Sequence, residues 1–305
     1  MRHLNDAVPE PSGVLLPRET AAYPRAMGVQ LSELDLLHVE EAVWVLHAHV
    51  DLPSYDFAFD RAFACRRPWQ PPTPLTAVAR FGAIDDYDAV YARFALEGVN
   101  LVHDPAQHRL ASELPAWYGV LEDLTPRSRW FDAPPSLETL LQHMDLPVFV
   151  KGARQSSRHR AALSIARTPP DFERIRAAFS ADPILGWQPF VARELVPLRP
   201  VALENGDKVP ASFEFRTFWW KGALVGAGQY WSTTYDWTPT ERTEALRVAG
   251  EAARRLNLPF VVIDVAQTQA GEWIVIECND AQESGYAAVS PFGVWQKIIE
   301  LERHT

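Results

Sequence analysis

The chain has 305 residues, 47% of them hydrophobic, with 11 tryptophans, 25 prolines and a net charge of −10 at pH 7. A composition of this kind builds a sizeable core, which excludes a disordered chain, and the acidic balance excludes a general nucleic-acid binder, which needs Lys and Arg to neutralise phosphates. Cys65 and Cys278 are the only cysteines, so no disulfide framework or zinc motif is available. No basic segment followed by an apolar core opens the chain, and no window reaches the ~18 apolar residues that cross a bilayer, so a cytoplasmic protein without membrane contact is expected.

In chain order, Gly13 to Leu16 and Ala42 to Val50 have strand character. The segment Arg66 to Pro74, with four prolines, must be extended or turn. Tyr87, Val90, Tyr91 and Phe94 recur at helical spacing and end at Gly98. Leu137 to His143 reads as a short helix capped by Ser136, followed by a strand from Pro147 to Lys151. Ser212 to Trp220 and Ala223 to Trp231 flank Lys221-Gly222, a hairpin signal. Thr238-Pro239-Thr240-Glu241 is a capping box with Pro at the first helical position, and Asn257 and Pro259 close the helix it opens.

The final pair of apolar runs, Phe260 to Ala266 and Trp273 to Asn279, reads as an antiparallel hairpin with Ala270-Gly271 as a two-residue turn. Counting outward places Asp264 opposite Glu277, and strand alternation puts Asn279 on the same face. Opposed carboxylates roughly 5 Å apart repel unless a positive group lies between them, and a divalent cation held by carboxylate and amide oxygens would suit. On this reading Asp264→Asn or Glu277→Gln leaves the apo protein as stable as wild type, or more so. The alternative is that one carboxylate faces solvent, or that an irregular loop slips the register. The order of strand pair, helix, strand pair implies an α+β domain with a mostly antiparallel sheet covered by helix on one face.

Three further segments carry candidate chemistry. Lys151 ends an apolar strand and enters a loop bearing Ser156, Ser157, Arg158, His159 and Arg160, which suits phosphate oxygens or is a solvated charged loop. The strip from Gly186 to Leu195 can offer backbone groups to an adenine edge, with Glu194 placed for ribose hydroxyls, or it is a linker whose Trp187 and Phe190 are core residues. Glu214 and Arg216 share one strand face while Phe213 and Phe215 share the other, so they form either a solvated ion pair or a site that turns Arg216 toward a phosphoryl group.

Together these segments resemble the ATP-grasp superfamily, in their order as well as their presence. The resemblance covers roughly residues 135 to 300. It implies two α+β lobes gripping ATP, preceded by a smaller α/β domain, with residues 1–130 as the N-terminal domain and 131–305 as the ATP-grasp domain. It further implies Lys151 on the nucleotide, a phosphate-covering loop from Gly152 to Arg160, and an adenine strip with Gln188, Phe190, Val191 and Glu194. Arg216 is the implied strand arginine, and Asp264, Glu277 and Asn279 the Mg²⁺ ligands. Two departures stand out. Trp187-Gln188 replaces an acidic residue common in the strip, and no lysine precedes Lys151, so Arg109, Arg127 or Arg129 is expected to replace a second nucleotide lysine.

The implied reaction is ATP-dependent ligation through an acylphosphate, with Lys151 and Arg216 stabilising charge on the transferring group. A small-molecule kinase with the same grasp and a silent nucleotide-binding regulator are the alternatives. His38, His47, His49, His103 and His108 are expected to be structural or surface residues. The acceptor, a small molecule or a peptide, is not readable; the aromatic strip Tyr230 to Trp237 either lines its pocket or packs in the core. A homodimer is compatible with all of these readings.

Overall fold

The computed structural model describes residues 75–78, 80, 86–96, 98–156, 160–202 and 207–303. The strands expected at Gly13 to Leu16 and Ala42 to Val50, the Arg66 to Pro74 segment, and Cys65, His38, His47 and His49 lie outside the described residues.

The first described elements form a β-α-β unit: β1 (Leu75–Ala77), α1 (Tyr87–Leu96) and β2 (Val99–Leu101), with β1 and β2 parallel. The helix ends at Gly98 with φ +76, a backbone shape that costs a glycine little. Next come α2 (Pro105–Ser112) and α3 (Leu114–Leu121). Asp104 and Gln107 close a capping box on α2.

Two four-stranded antiparallel sheets follow. The first has the order β3-β6-β4-β5, from β3 (Ser128–Phe131), β4 (Val148–Gly152), β5 (Ile165–Ala166) and β6 (Phe190–Glu194). The expected division between residues 130 and 131 falls inside β3. Between β3 and β4 lies α4 (Leu137–Leu141), capped by Ser136 as expected. The helices α5 (Ala161–Ser164) and α6 (Pro169–Phe179) fall between β4 and β6, and α6 buries Phe172, Ile175 and Phe179 against Phe190, Val148 and Val150.

A short ribbon of β7 (Pro200–Ala202) and β8 (Ala211–Ser212) leads into the second sheet, β10-β9-β11-β12. Its strands are β9 (Glu214–Trp220), β10 (Ala223–Gln229), β11 (Phe260–Gln267) and β12 (Trp273–Asp280), with α7 (Pro239–Leu256) before β11 and α8 (Pro291–Arg303) at the end. The β9–β10 turn has positive φ at both Lys221 and Gly222, which matches the twist of a tight hairpin. Thr238 and Glu241 form the expected capping box on α7, and Asn257 ends it in the left-handed conformation.

One face of this second sheet is mainly apolar, with Thr217 and, at the end of β12, Asp280 as its buried polar residues. Phe213, Phe215, Trp219, Val261, Ile263, Val265 and Cys278 pack against a stripe of small residues on α7, and Leu114, Trp117, Tyr118 and Leu121 of α3 complete the same core. The opposite face divides. Phe218, Trp220, Phe260 and Val262 lie beneath Val294, Trp295 and Ile298 of α8. The remainder of that face carries Glu214, Arg216, Asp264, Glu277 and Asn279, which no helix among the described residues covers with apolar side chains. Strand alternation therefore splits the sheet into a structural face and a face with a polar half.

The β11–β12 register differs in detail from the expected one. Five residues, Thr268 to Glu272, separate the two strands, with Gly271 at φ +90, and Gln267 pairs with Trp273. A bulge between Asp264 and Val265 on one strand and Val275 and Glu277 on the other then takes up one residue, and Asp264 pairs with Glu277 after all.

Candidate functional site

A cleft of about 480 Å³ opens where the two sheets meet. Along β4 its wall passes from Pro147 and Phe149 to Lys151; on the far side stand Ile274, Ile276 and Glu277 of β12, with Glu214, Tyr230 and Trp231 beside them. The segment Glu194 to Leu198, just beyond β6, closes one margin. A mostly apolar slot with a few convergent charges is the usual form of a small-molecule site.

Lys151 and Glu277 belong to different sheets and form an ion pair across the cleft, with side-chain exposures of 5% and 20%. Burial alone would raise the Glu277 carboxyl, but the Lys151 ammonium outweighs it and holds the group below its usual value. Arg216 grips Asp264 through two hydrogen bonds, Nε to Oδ1 at 2.9 Å and Nη2 to Oδ2 at 2.7 Å. A third donor of Arg216 reaches the Gly285 carbonyl, and the ring of Tyr230 lies 4.8 Å over the guanidinium carbon. The charge expected from a cation between Asp264 and Glu277 is thus supplied within the protein, by one basic side chain for each carboxylate. The Nδ2 atom of Asn279 is buried and meets no well-formed hydrogen bond among the described residues, while its amide lies beside Glu277.

Glu214 accepts from Ser212 Oγ at 3.0 Å and from the Trp231 indole at 3.1 Å. Its pKa is pushed up to about 8, first by burial and then by the nearby Asp264 charge. A carboxyl raised on folding adds stability that is full below its ordinary value near 4.5 and is lost as the pH rises through about 8. Glu214→Gln removes that titration and keeps an oxygen acceptor. The variant should therefore gain on wild type between pH 5 and pH 8, by a few kcal/mol, since each tenfold change in proton affinity on folding is worth about 1.4 kcal/mol. Thermal melts at both pH values check this; a constant difference between the two proteins would show that Glu214 is ionised throughout.

The residues expected as an adenine strip, Gln188, Phe190, Val191 and Glu194, are divided between the base of the loop after β4, the core and the cleft. Gln188 is buried and its amide oxygen accepts from the Arg154 and Gln155 N–H groups at 2.9 and 3.0 Å, so it shapes the base of the loop after β4. A Cβ on Gly152 would run into that same amide. Phe190 packs against Phe172 and Phe179 on the face of β6 away from the cleft, and Val191 is sealed in the core between the sheets. Of these four residues only Glu194 lines the cleft. Trp187 is partly exposed and the Arg154 guanidinium lies 5.6 Å over its ring.

In the loop, Ser156 reaches the cleft, whereas Arg160 pairs with Asp182 at 3.2 Å and Ser157, Arg158 and His159 lie outside the described residues. Arg109 pairs with Asp88 at the surface and Arg127 donates to the His143 carbonyl at 2.6 Å; neither they nor Arg129 lines the cleft. A residue absent from the sequence-based expectations does. Arg193 of β6 is buried and donates to Thr125 Oγ1, Ser128 Oγ and the Ile276 carbonyl, all uncharged. Burial brings its pKa down to about 10, partly offset by Glu277. Its pairing with Phe149, two residues from Lys151, places it on the cleft face, and that signal becomes readable only once the strand partners are known.

Tyr230 and Trp231 face the cleft, while Trp237 stacks on Phe215 at 3.9 Å and Tyr235 packs in the core, so the aromatic strip is divided between cleft and core. The Tyr235 hydroxyl donates to the Glu214 carbonyl at 2.5 Å and accepts from the Tyr230 and Trp231 N–H groups, which pins the strip over Glu214. His103 and His108 are buried. Among the described residues no helix is long and apolar enough to cross a membrane.

Among solved structures, the chain is similar to a RimK domain protein ATP-grasp from Sphaerobacter thermophilus DSM 20745, with 16% identity over 74% of this chain and 81% of that one and a TM-score of 0.51. It is similar too to the D-alanine-D-alanine ligase from Coxiella burnetii, with 15% identity over 75% and 68% of the two chains and a TM-score of 0.52. At these identities the likeness is one of fold, and the fold is the ATP-grasp fold. Comparison with curated proteins finds no match. The ATP-grasp domain of R2K clade family 3 matches residues 119–298, more than half of the chain, and the protein belongs to that family.

Proposed function

We propose that the protein is an ATP-dependent ligase that activates a carboxylate as an acylphosphate for attack by an amine, with Mg²⁺ as its metal. The observation that carries this reading is the convergence of Lys151 from one sheet with Glu277 from the other, at the charged part of an otherwise apolar cleft. Adenine fits the apolar walls beside Glu194 to Leu198, with Arg193 and Lys151 on the side where phosphates would follow.

Asp264, Glu277 and Asn279 form a donor set that suits Mg²⁺, which is commonly held by one or two carboxylates with substrate phosphates and water completing the shell. Asn279 supports this fit: its buried Nδ2 meets no well-formed hydrogen bond among the described residues, and turning the amide over would aim Oδ1 to the same side, beside Glu277. Bound there, the ion would neutralise phosphate charge. In the reaction, an oxygen of the substrate carboxylate attacks the γ-phosphorus, the bond to the β–γ bridging oxygen breaks, and ADP leaves. An amine then attacks the acyl carbon, gives up a proton, and inorganic phosphate departs. Lys151 and Arg216 hold charge on the transferring group, and the apolar walls keep water from the acylphosphate.

The test is product analysis on mixtures of candidate acids and amines. ADP and phosphate released only when acid and amine are both present support a ligase, whereas a stable phosphorylated product with one substrate alone would make it a kinase. Arg216→Lys is expected to keep a charge against Asp264 but lose the two-pronged grip. Turnover should fall roughly a hundredfold with little change in Mg·ATP affinity, because the guanidinium acts on charge that shifts during transfer. Wild-type turnover in this variant would leave Arg216 as a purely structural ion pair.

A further inference from the structure

A buried polar cluster that the proposed reaction does not use lies beside β12. Asp280, directly after Asn279, is fully buried, and Nδ1 of both His103 and His108 lies 2.9 Å from its Oδ2. Gln282 adds an N–H donor to Oδ1 at 2.8 Å, and its side chain reaches both Oδ2 and the Tyr87 hydroxyl. The ring of Tyr87 stacks on His108 with centroids 3.7 Å apart and planes 3° from parallel. On its other edge, His108 Nε2 meets the guanidinium of Arg154. Arg154 is itself held by both oxygens of Glu283, at 3.1 and 3.3 Å.

The chemistry of these contacts decides the protonation of the ring. A guanidinium only donates, so His108 Nε2 accepts from Arg154, and the ring proton sits on Nδ1, where it donates to Asp280. One neutral imidazole therefore bridges two segments. The first is the end of β12, the strand that carries Glu277 and Asn279. The second is the base of the loop that follows Lys151, where α3 adds a further tie from the Leu114 N–H to the Ala153 carbonyl at 2.9 Å. His108 belongs to α2, ahead of the residues matched to the family.

We propose that His108 is a positioning residue of the nucleotide site, its imidazole fixing the strand of Glu277 and Asn279 relative to the base of the loop after Lys151. The proposal rests on the ATP reading above. Partners one shell removed from a metal or phosphate site orient the groups that touch it, and their loss commonly weakens binding without unfolding the protein.

The experiment is calorimetric titration of the full chain with Mg·ADP and, separately, with adenosine. Adenosine needs the apolar slot alone, whereas Mg·ADP needs strand and loop in register. His108→Ala should bind Mg·ADP about tenfold more weakly, with adenosine affinity unchanged. His108→Asn keeps a donor toward Asp280 and His108→Gln keeps an acceptor toward Arg154. Each should recover thermal stability lost in the alanine variant but not the affinity for Mg·ADP, because each restores one tie of two. Wild-type affinity for Mg·ADP in His108→Ala would overturn the proposal, as would adenosine and Mg·ADP affinities that fall in step, or full rescue by either amide. A wild type that binds Mg·ADP no better than adenosine would instead sink the ATP reading itself.

Discussion

Glu277→Gln is expected to destabilise the apo protein by about 3 kcal/mol and to remove most of the extra thermal stability that Mg·ATP confers on wild type. The strand register alone implied the reverse for the apo form, since two facing carboxylates should be relieved by losing one charge. The structure supplies what the register lacked. Glu277 carries the counter-charge of a buried Lys151, and a neutral amide would leave that ammonium without its partner. Because Lys151 holds the Glu277 carboxyl below its ordinary value, the stabilisation is present above the unfolded-state value near 4.5 and is lost as the pH falls toward the folded one. The gap between wild type and variant should therefore close in acid. Melts at pH 7 and pH 4, with and without Mg·ATP, decide the matter. Equal apo stability at pH 7 would mean that the ion pair contributes nothing. An undiminished gain from Mg·ATP in the variant would remove Glu277 from the metal site.

Lys151→Met should weaken Mg·ATP binding by roughly ten- to a hundredfold, the worth of one charge-assisted hydrogen bond of about 1.5–3 kcal/mol. The variant also strips Glu277 of its partner, so an apo stability loss is expected as well, and the two effects need separating. A double-mutant cycle with Glu277→Gln does so. Both single changes break the same pair, and the double variant should recover much of the apo stability that the singles lose. Nucleotide affinity should not recover, because a methionine offers phosphates nothing. Calorimetry and denaturant melts on the four proteins measure both quantities; a double variant that regains Mg·ATP affinity would place Lys151 outside the phosphate site.

Local chemistry in this chain is legible without a structure. The capping box at Thr238, the N-cap at Ser136, the Lys221-Gly222 turn and the helix stops at Gly98 and Asn257 each depend on a few neighbouring residues. The pairing of Asp264 with Glu277 follows from residue counting by a route that differs from the real one, since a longer loop and a bulge offset each other. Which residues of the expected strip reach the cleft is not legible in the sequence, for a definite reason. Phe190 to Arg193 are buried on both faces of β6, so the alternation that tells cleft from core is erased. Lys151 and Glu277, and likewise Asp264 and Arg216, come from strands far apart in the chain, and only the closed fold shows that each acid has a base of its own. Arg193 stays hidden in the sequence on the same grounds.

The boundary of the matched family and the boundary of the folding unit do not coincide. Leu114 and Trp117 of α3 lie in one continuous core with α7 and β11, yet both precede residue 119, where the family match begins. A fragment cut to the evolutionary module would open that core to water and sever the Leu114 tie to Ala153. The matched module thus draws part of its core from residues ahead of it, and a shortened version is expected to fold only if it carries α2 and α3 with it.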